Sequence, residues 1–126
     1  MNVFSTIEEK VIMNRKHFFV ACALGVILGF PATSLAQGKV QIISPVNGST
    51  LDAMGENHLT YEVDPGPRGD HVHVYVDDKE VGILRKLKGS YLLESLSSGK
   101  RRICVKTVNK AHVPIGIEQC VQVTVK

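Results

Sequence analysis

Tryptophan is absent from these 126 residues, and all four phenylalanines (Phe4, Phe18, Phe19, Phe30) fall in the first quarter of the chain. Everything after residue 36 must therefore build its core from Val, Ile, Leu and the three tyrosines, Tyr61, Tyr75 and Tyr91. A sustained 3.6-residue apolar period is also missing, which excludes a helical bundle. There is no phosphate loop, no dinucleotide fingerprint and no CxxC pair. Ser49, Ser90, Ser95, Ser97 and Ser98 lack a nucleophile-elbow context, and the paired carboxylates Asp77-Asp78 read as a turn. No catalytic residue is expected. Charge of one sign is scarce too: residues 37–126 hold 12 Lys and Arg against 10 Asp and Glu, a net +2. That balance excludes a polybasic nucleic-acid binder. The short basic runs Arg85-Lys86-Leu87-Lys88 and Lys100-Arg101-Arg102 read as solvated faces.

The apolar run His17–Phe30 is about 14 residues, against the roughly 20 needed to span a bilayer. It follows the basic head Asn14-Arg15-Lys16 and precedes Pro31–Ala36, with small residues three and one positions before Gln37. This is the pattern of a secretory signal with cleavage after Ala36, and the competing reading is a membrane anchor. Residues 1–36 are expected to be the signal peptide, with Met13 a better start than Met1 because the first twelve residues add two Glu to a head that should be basic. The leader has a bacterial character, so the periplasm or the exterior is the expected destination, without stable membrane insertion after cleavage. Residues 37–126 then form one modest domain.

Two cysteines remain in that domain, Cys104 and Cys120. An even count in an exported chain suggests a disulfide. Their midpoint is residue 112, inside Asn109–Gly116, where the turn signals lie. Strands flanking that loop symmetrically would set the two Cys opposite each other, with Cβ atoms about 4.5–5.5 Å apart. The bridge would contribute about 3 kcal/mol in the chain-entropy model. A pair of metal-binding thiolates is the competing reading.

Period-two alternation recurs in short runs separated by Gly, Pro, Asn and Asp. It predicts strands over Val40–Ile43, 58–63, His71–Val76, Glu80–Leu84, Ser90–Leu93, Arg101–Val108 and Glu118–Val125. Leu59, Tyr61 and Val63 share one face, as do Val72, Val74 and Val76. In the last hairpin Ile103, Val105, Val121, Val123 and Val125 should face the core and both Cys should face outward. About seven short strands in 90 residues predict an antiparallel β-sandwich, a small barrel being the alternative.

Tyr91, Leu93, Leu96 and Gly99, followed by the alternating strand from Arg101, resemble the penultimate connection of bacterial immunoglobulin-like and fibronectin type III-like domains. The opening Ile43–Leu51 is similar to their first strand and turn. It also resembles the opening of periplasmic copper-resistance carriers, but those place a His at the mature N-terminus, where this chain has Gln37-Gly38, so that site does not carry over. The chain is also similar to small exported bacterial proteins that pair "DHVHVYVD" with a late "NKAHVPIG". These likenesses imply an immunoglobulin-like sandwich and an exported compartment, and no activity.

Four histidines follow residue 36. His71 and His73 are two apart on one strand and project from the same face. In an immunoglobulin-like sandwich the loop entering the third strand and the final hairpin loop lie at one end. His112, in that hairpin loop, should therefore approach His71 and His73, and His58 should sit at the opposite end. Three neutral imidazoles suit Cu(II) or Zn(II), and Asp70 could add a carboxylate or orient a ring. The plainer reading makes His71 and His73 solvated sheet-surface residues. The His-Val-His likeness to copper-zinc superoxide dismutase stops at those residues, and a blue-copper site would need a free Cys ligand. Three functions follow: a periplasmic metal carrier or buffer using His71, His73 and His112, a recognition module for another envelope protein with no metal, or an enzyme accessory domain with no chemistry of its own. Ring nitrogens within about 3–4 Å would allow the first, and separations beyond about 8 Å would favour the second. Arg68-Gly69-Asp70 and Asn47-Gly48-Ser49 match adhesion and glycosylation tripeptides and are better explained as loop and turn.

Overall fold

A computed structural model describes residues 37–126 and Gly29. The expected signal peptide, with its expected Met13 start and cleavage after Ala36, lies outside the described residues. Among those residues there is no helix, and none is long and apolar enough to cross a membrane.

Eight strands form: β1 (Lys39–Ser44), β2 (Thr50–Leu51), β3 (Asn57–Asp64), β4 (His71–Val76), β5 (Lys79–Leu84), β6 (Lys88–Leu93), β7 (Gly99–Val108) and β8 (Pro114–Val125). They make two sheets, one ordered β1-β3-β6 and the other β2-β8-β7-β4-β5. All pairings are antiparallel except the short parallel contact of β2 with β8. The expected sandwich is therefore observed, with one more strand than the alternation shows. Thr50–Leu51 is too short to carry a period.

The core forms where the inward residues of both sheets meet. Val40, Ile42, Leu59, Tyr61, Val63 and Leu93 come from the three-stranded sheet, and Val72, Val74, Ile103, Val105, Val121, Val123 and Val125 from the other. Fully burying one such aliphatic side chain contributes roughly 1.5–3 kcal/mol. All five hairpin residues assigned to the core are in it.

Cys104 and Cys120 are register partners in β7 and β8 and form a disulfide, with Cα atoms 4.0 Å apart. The outward placement of the pair needs one correction. Cys104 lies on the non-core face yet is only 1% exposed. Its strand is interior to the sheet, and it is flanked by Tyr75 of β4 on one side and Cys120 on the other. The side chains paired with it on both neighbouring strands cover it.

Asp77 and Asp78 both have positive φ, 49° and 65°, and make the two-residue β4–β5 turn. Primed turns of this kind match the strand twist and favour Asp and Asn. The Asp77 carboxylate also accepts the backbone N–H of Arg102. Asn47 accepts the Gln122 N–H through its side-chain oxygen, in keeping with a turn role.

Candidate metal centre

The site is a consequence of register. β4 runs antiparallel to β7, with His71 opposite Val108. Val108 is the last residue of β7, so the loop that follows it, residues 109–113, rises beside the start of β4. His112 thus reaches residues 39 and 41 positions away in the chain. His71 and His73 lie on the non-core face, since Val72 and Val74 between them are in the core.

The three rings converge. Nε2 of His71 and Nε2 of His73 are 3.2 Å apart. Nδ1 of His112 is 3.2 Å from the first and 3.0 Å from the second. Among the described residues these three are the only group of His, Cys, Asp or Glu whose ligand atoms gather closely enough to hold a metal ion. The solvated-surface reading of His71 and His73 is overturned: they are 1% and 3% exposed, and only His112 is open to solvent. His58 lies on the other sheet, within 3.4 Å of the Ser90 hydroxyl and away from the cluster.

Behind the buried rings stand two carboxylates. Nδ1 of His71 is 2.9 Å from Oδ2 of Asp70, and Nδ1 of His73 is 2.9 Å from Oε2 of Glu80. These contacts are attractive only if each Nδ1 carries a proton and donates it. In the neutral ring each Nε2 is then a bare lone pair aimed at the centre of the triangle. Asp70 therefore orients a ring rather than joining the inner group. Its carboxylate also lies 3.8 Å from Arg85, and its backbone N–H donates to Val108. That placement, with Gly69 packed against Pro65 and Thr107, ties Arg68-Gly69-Asp70 into the scaffold.

Sequence reasoning missed Glu80, although a signal for it exists. A two-residue turn at Asp77-Asp78 sets Val76 opposite Lys79 and Tyr75 opposite Glu80. Opposed residues share a face, so Glu80 lies on the histidine face, diagonal to His73. Val81 is then bulged, which brings Ile83 opposite His73. Burial, then the negative charges of Glu80 and Glu118, push the Tyr75 phenol above its ordinary value. Glu80 also borders a cleft of about 650 Å³, which lies between β5 and the β6–β7 connection and is lined by none of the histidines.

No protein-family model matches the chain, and no curated protein matches it in sequence. Solved structures do. The fibronectin(III)-like modules of Clostridium thermocellum CbhA align over 69% of this chain and 95% of the module, with a TM-score of 0.58 and 17% identity. The fold is fibronectin(III)-like. An endo-β-1,4-mannanase from Thermotoga petrophila aligns with a TM-score of 0.55 and 13% identity, covering 76% of this chain. An engineered protein aligns with a TM-score of 0.52 and 18% identity over 74%. The chain spans 21% of each of those two larger chains, so their likeness concerns one module within them. At such identities the fibronectin(III)-like resemblance describes a scaffold, and function rests on the site.

Proposed function

We propose that this chain is an exported, non-catalytic metal-binding module that holds one Cu(II) or Zn(II) ion through His71, His73 and His112. The observation that carries the reading is electrostatic. Two carboxylates commit the His71 and His73 rings to presenting lone pairs, and a third imidazole nitrogen stands 3.0–3.2 Å from both. The two Nε2 lone pairs, 3.2 Å apart, repel unless a cation or a proton on the His112 Nδ1 lies between them, and a metal ion uses all three nitrogens at once. Tetrahedral ligation with Zn–N of about 2.0–2.1 Å sets ligand nitrogens about 3.3 Å apart, within a few tenths of the separations here. Neutral imidazoles suit both metals, and the rings are backed by carboxylates as metal-bound histidines commonly are. Three protein donors leave a coordination position for exchange with a donor or acceptor, which suits carriage or buffering. The disulfide favours an oxidising compartment and so supports export, as does the leader pattern.

Titration of the purified protein with Cu(II) and with Zn(II) tests this. One equivalent should bind, and His73→Ala should lose the tight site. Absence of uptake in the wild type would reject the reading. It would leave the second one, recognition of an envelope protein, for which the specific support is the free edge of β5 with Val81 and Ile83 exposed.

A further inference from the structure

We infer that Asn109 is the positioning residue for His112, and that the loop it organises is the arm through which a bound metal enters and leaves. This rests on the three-histidine reading above. The three ligands are not held alike. His71 and His73 sit on β4, which is paired on both sides, and each has a carboxylate behind it. His112 is exposed, on a loop between β7 and β8, and its contacts are to the other two rings. Of the three donors it is the one that can swing away without breaking a strand.

What keeps it in place is Asn109. Its Oδ1 accepts the backbone N–H groups of Ala111 and Val113, at 2.9 and 3.0 Å. Its backbone carbonyl accepts the N–H of His112, and its own N–H donates to Val113, both at 3.0 Å. Every backbone link within the loop therefore runs to this residue. The links hold His112 at φ 61°, a left-handed conformation that side chains avoid unless the surroundings impose it. That conformation presents Nδ1, the ring nitrogen nearer the backbone, to a pair of Nε2 atoms. An unconstrained loop would relax toward negative φ and withdraw the ring. The strain favours opening of the arm, and the Asn109 side chain opposes it.

The test compares Asn109→Ala, Asn109→Asp, His112→Ala and the double variant N109A/H112A, each loaded with one equivalent of metal. Zn(II) release to a chelator gives the rate, and the nitrogen hyperfine pattern of Cu(II) gives the number of imidazoles bound. Asn109→Ala should release Zn(II) at least about tenfold faster than wild type, the low end of what loss of an outer-shell partner costs. Its Cu(II) spectrum should move from three nitrogens to two. Asn109→Asp keeps the acceptor oxygen and should restore the three-nitrogen spectrum, which separates a positioning effect from general loosening. The double variant should release metal no faster than His112→Ala, because Asn109 acts through that ring. Wild-type release with three nitrogens in Asn109→Ala, or a double variant clearly faster than His112→Ala, overturns the inference and leaves metal binding standing. A wild-type protein that takes up no metal overturns both.

Discussion

An imidazole that donates its Nδ1 proton to a carboxylate has a fixed tautomer and a fixed ring orientation. Asp70 and Glu80 give His71 and His73 this property. Partners of this kind typically change metal affinity 10–100-fold when removed. Asp70→Ala and Glu80→Ala should each weaken Zn(II) binding by about that factor without loss of the fold, as measured by competition with a chromophoric chelator. Glu80→Gln should lose less than Glu80→Ala, because an amide oxygen can still accept the His73 proton. The histidine pair was legible in the sequence because a strand's period of two puts alternate residues on one face. Glu80 was not, because its place depends on reading the register outward from the Asp77-Asp78 turn. The alkaline behaviour belongs to this scale as well. Burial raises the Tyr61 phenol, and burial together with Glu80 and Glu118 raises Tyr75. A raised pKa means that the folded chain keeps protons the unfolded chain releases. The associated stability is complete below the unfolded value of about 10 and is lost as pH rises through the folded values. Denaturant unfolding from pH 8 upward should show that decline, and Tyr75→Phe should make it shallower.

At the scale of elements the last hairpin is decisive. It carries His112 at its tip and the Cys104–Cys120 bridge along its length. The bridge was legible from arithmetic alone, because a turn centred near residue 112 makes 104 and 120 partners. The burial of Cys104 was not, since alternation reports which face a residue occupies and not what covers that face. Nor did alternation show that β8 begins at Pro114, where Val108 pairs after a bulge. Proline is tolerated at the first residue of a strand, so it marks a boundary without saying on which side. The disulfide and the loop hold the hairpin by separate means. Cys104→Ser/Cys120→Ser should therefore lower stability by about 3 kcal/mol, read from denaturant unfolding. Its metal affinity should change far less, because Asn109 still organises the loop. Loss of metal affinity as large as that of His112→Ala would mean that the bridge, and not the loop, sets the ligand's position.

For the whole molecule, the site joins positions that the sandwich alone brings together. Val72 and Val74 face the core while the two histidines interleaved with them face the opposite way. One strand therefore serves the hydrophobic layer and the candidate metal centre at once. The convergence could be anticipated only by assuming a topology, since nothing local links His112 to His71. The same coupling makes metal binding a property of the folded state: unfolding parts His112 from rings that lie 39 and 41 positions away in the chain and abolishes the triangle. A ligand that binds the native chain alone stabilises it by about 2.7 kcal/mol at a free concentration one hundred times its dissociation constant. Thermal unfolding of the wild type should accordingly rise with added Zn(II) or Cu(II), and continue rising with the logarithm of metal concentration once the site is filled. His73→Ala should show no such rise. Because the ligands bind metal only when deprotonated, acidification should shrink the shift. A shift of equal size in wild type and His73→Ala would assign the metal to some other part of the protein and separate the sandwich from the site it is proposed to build.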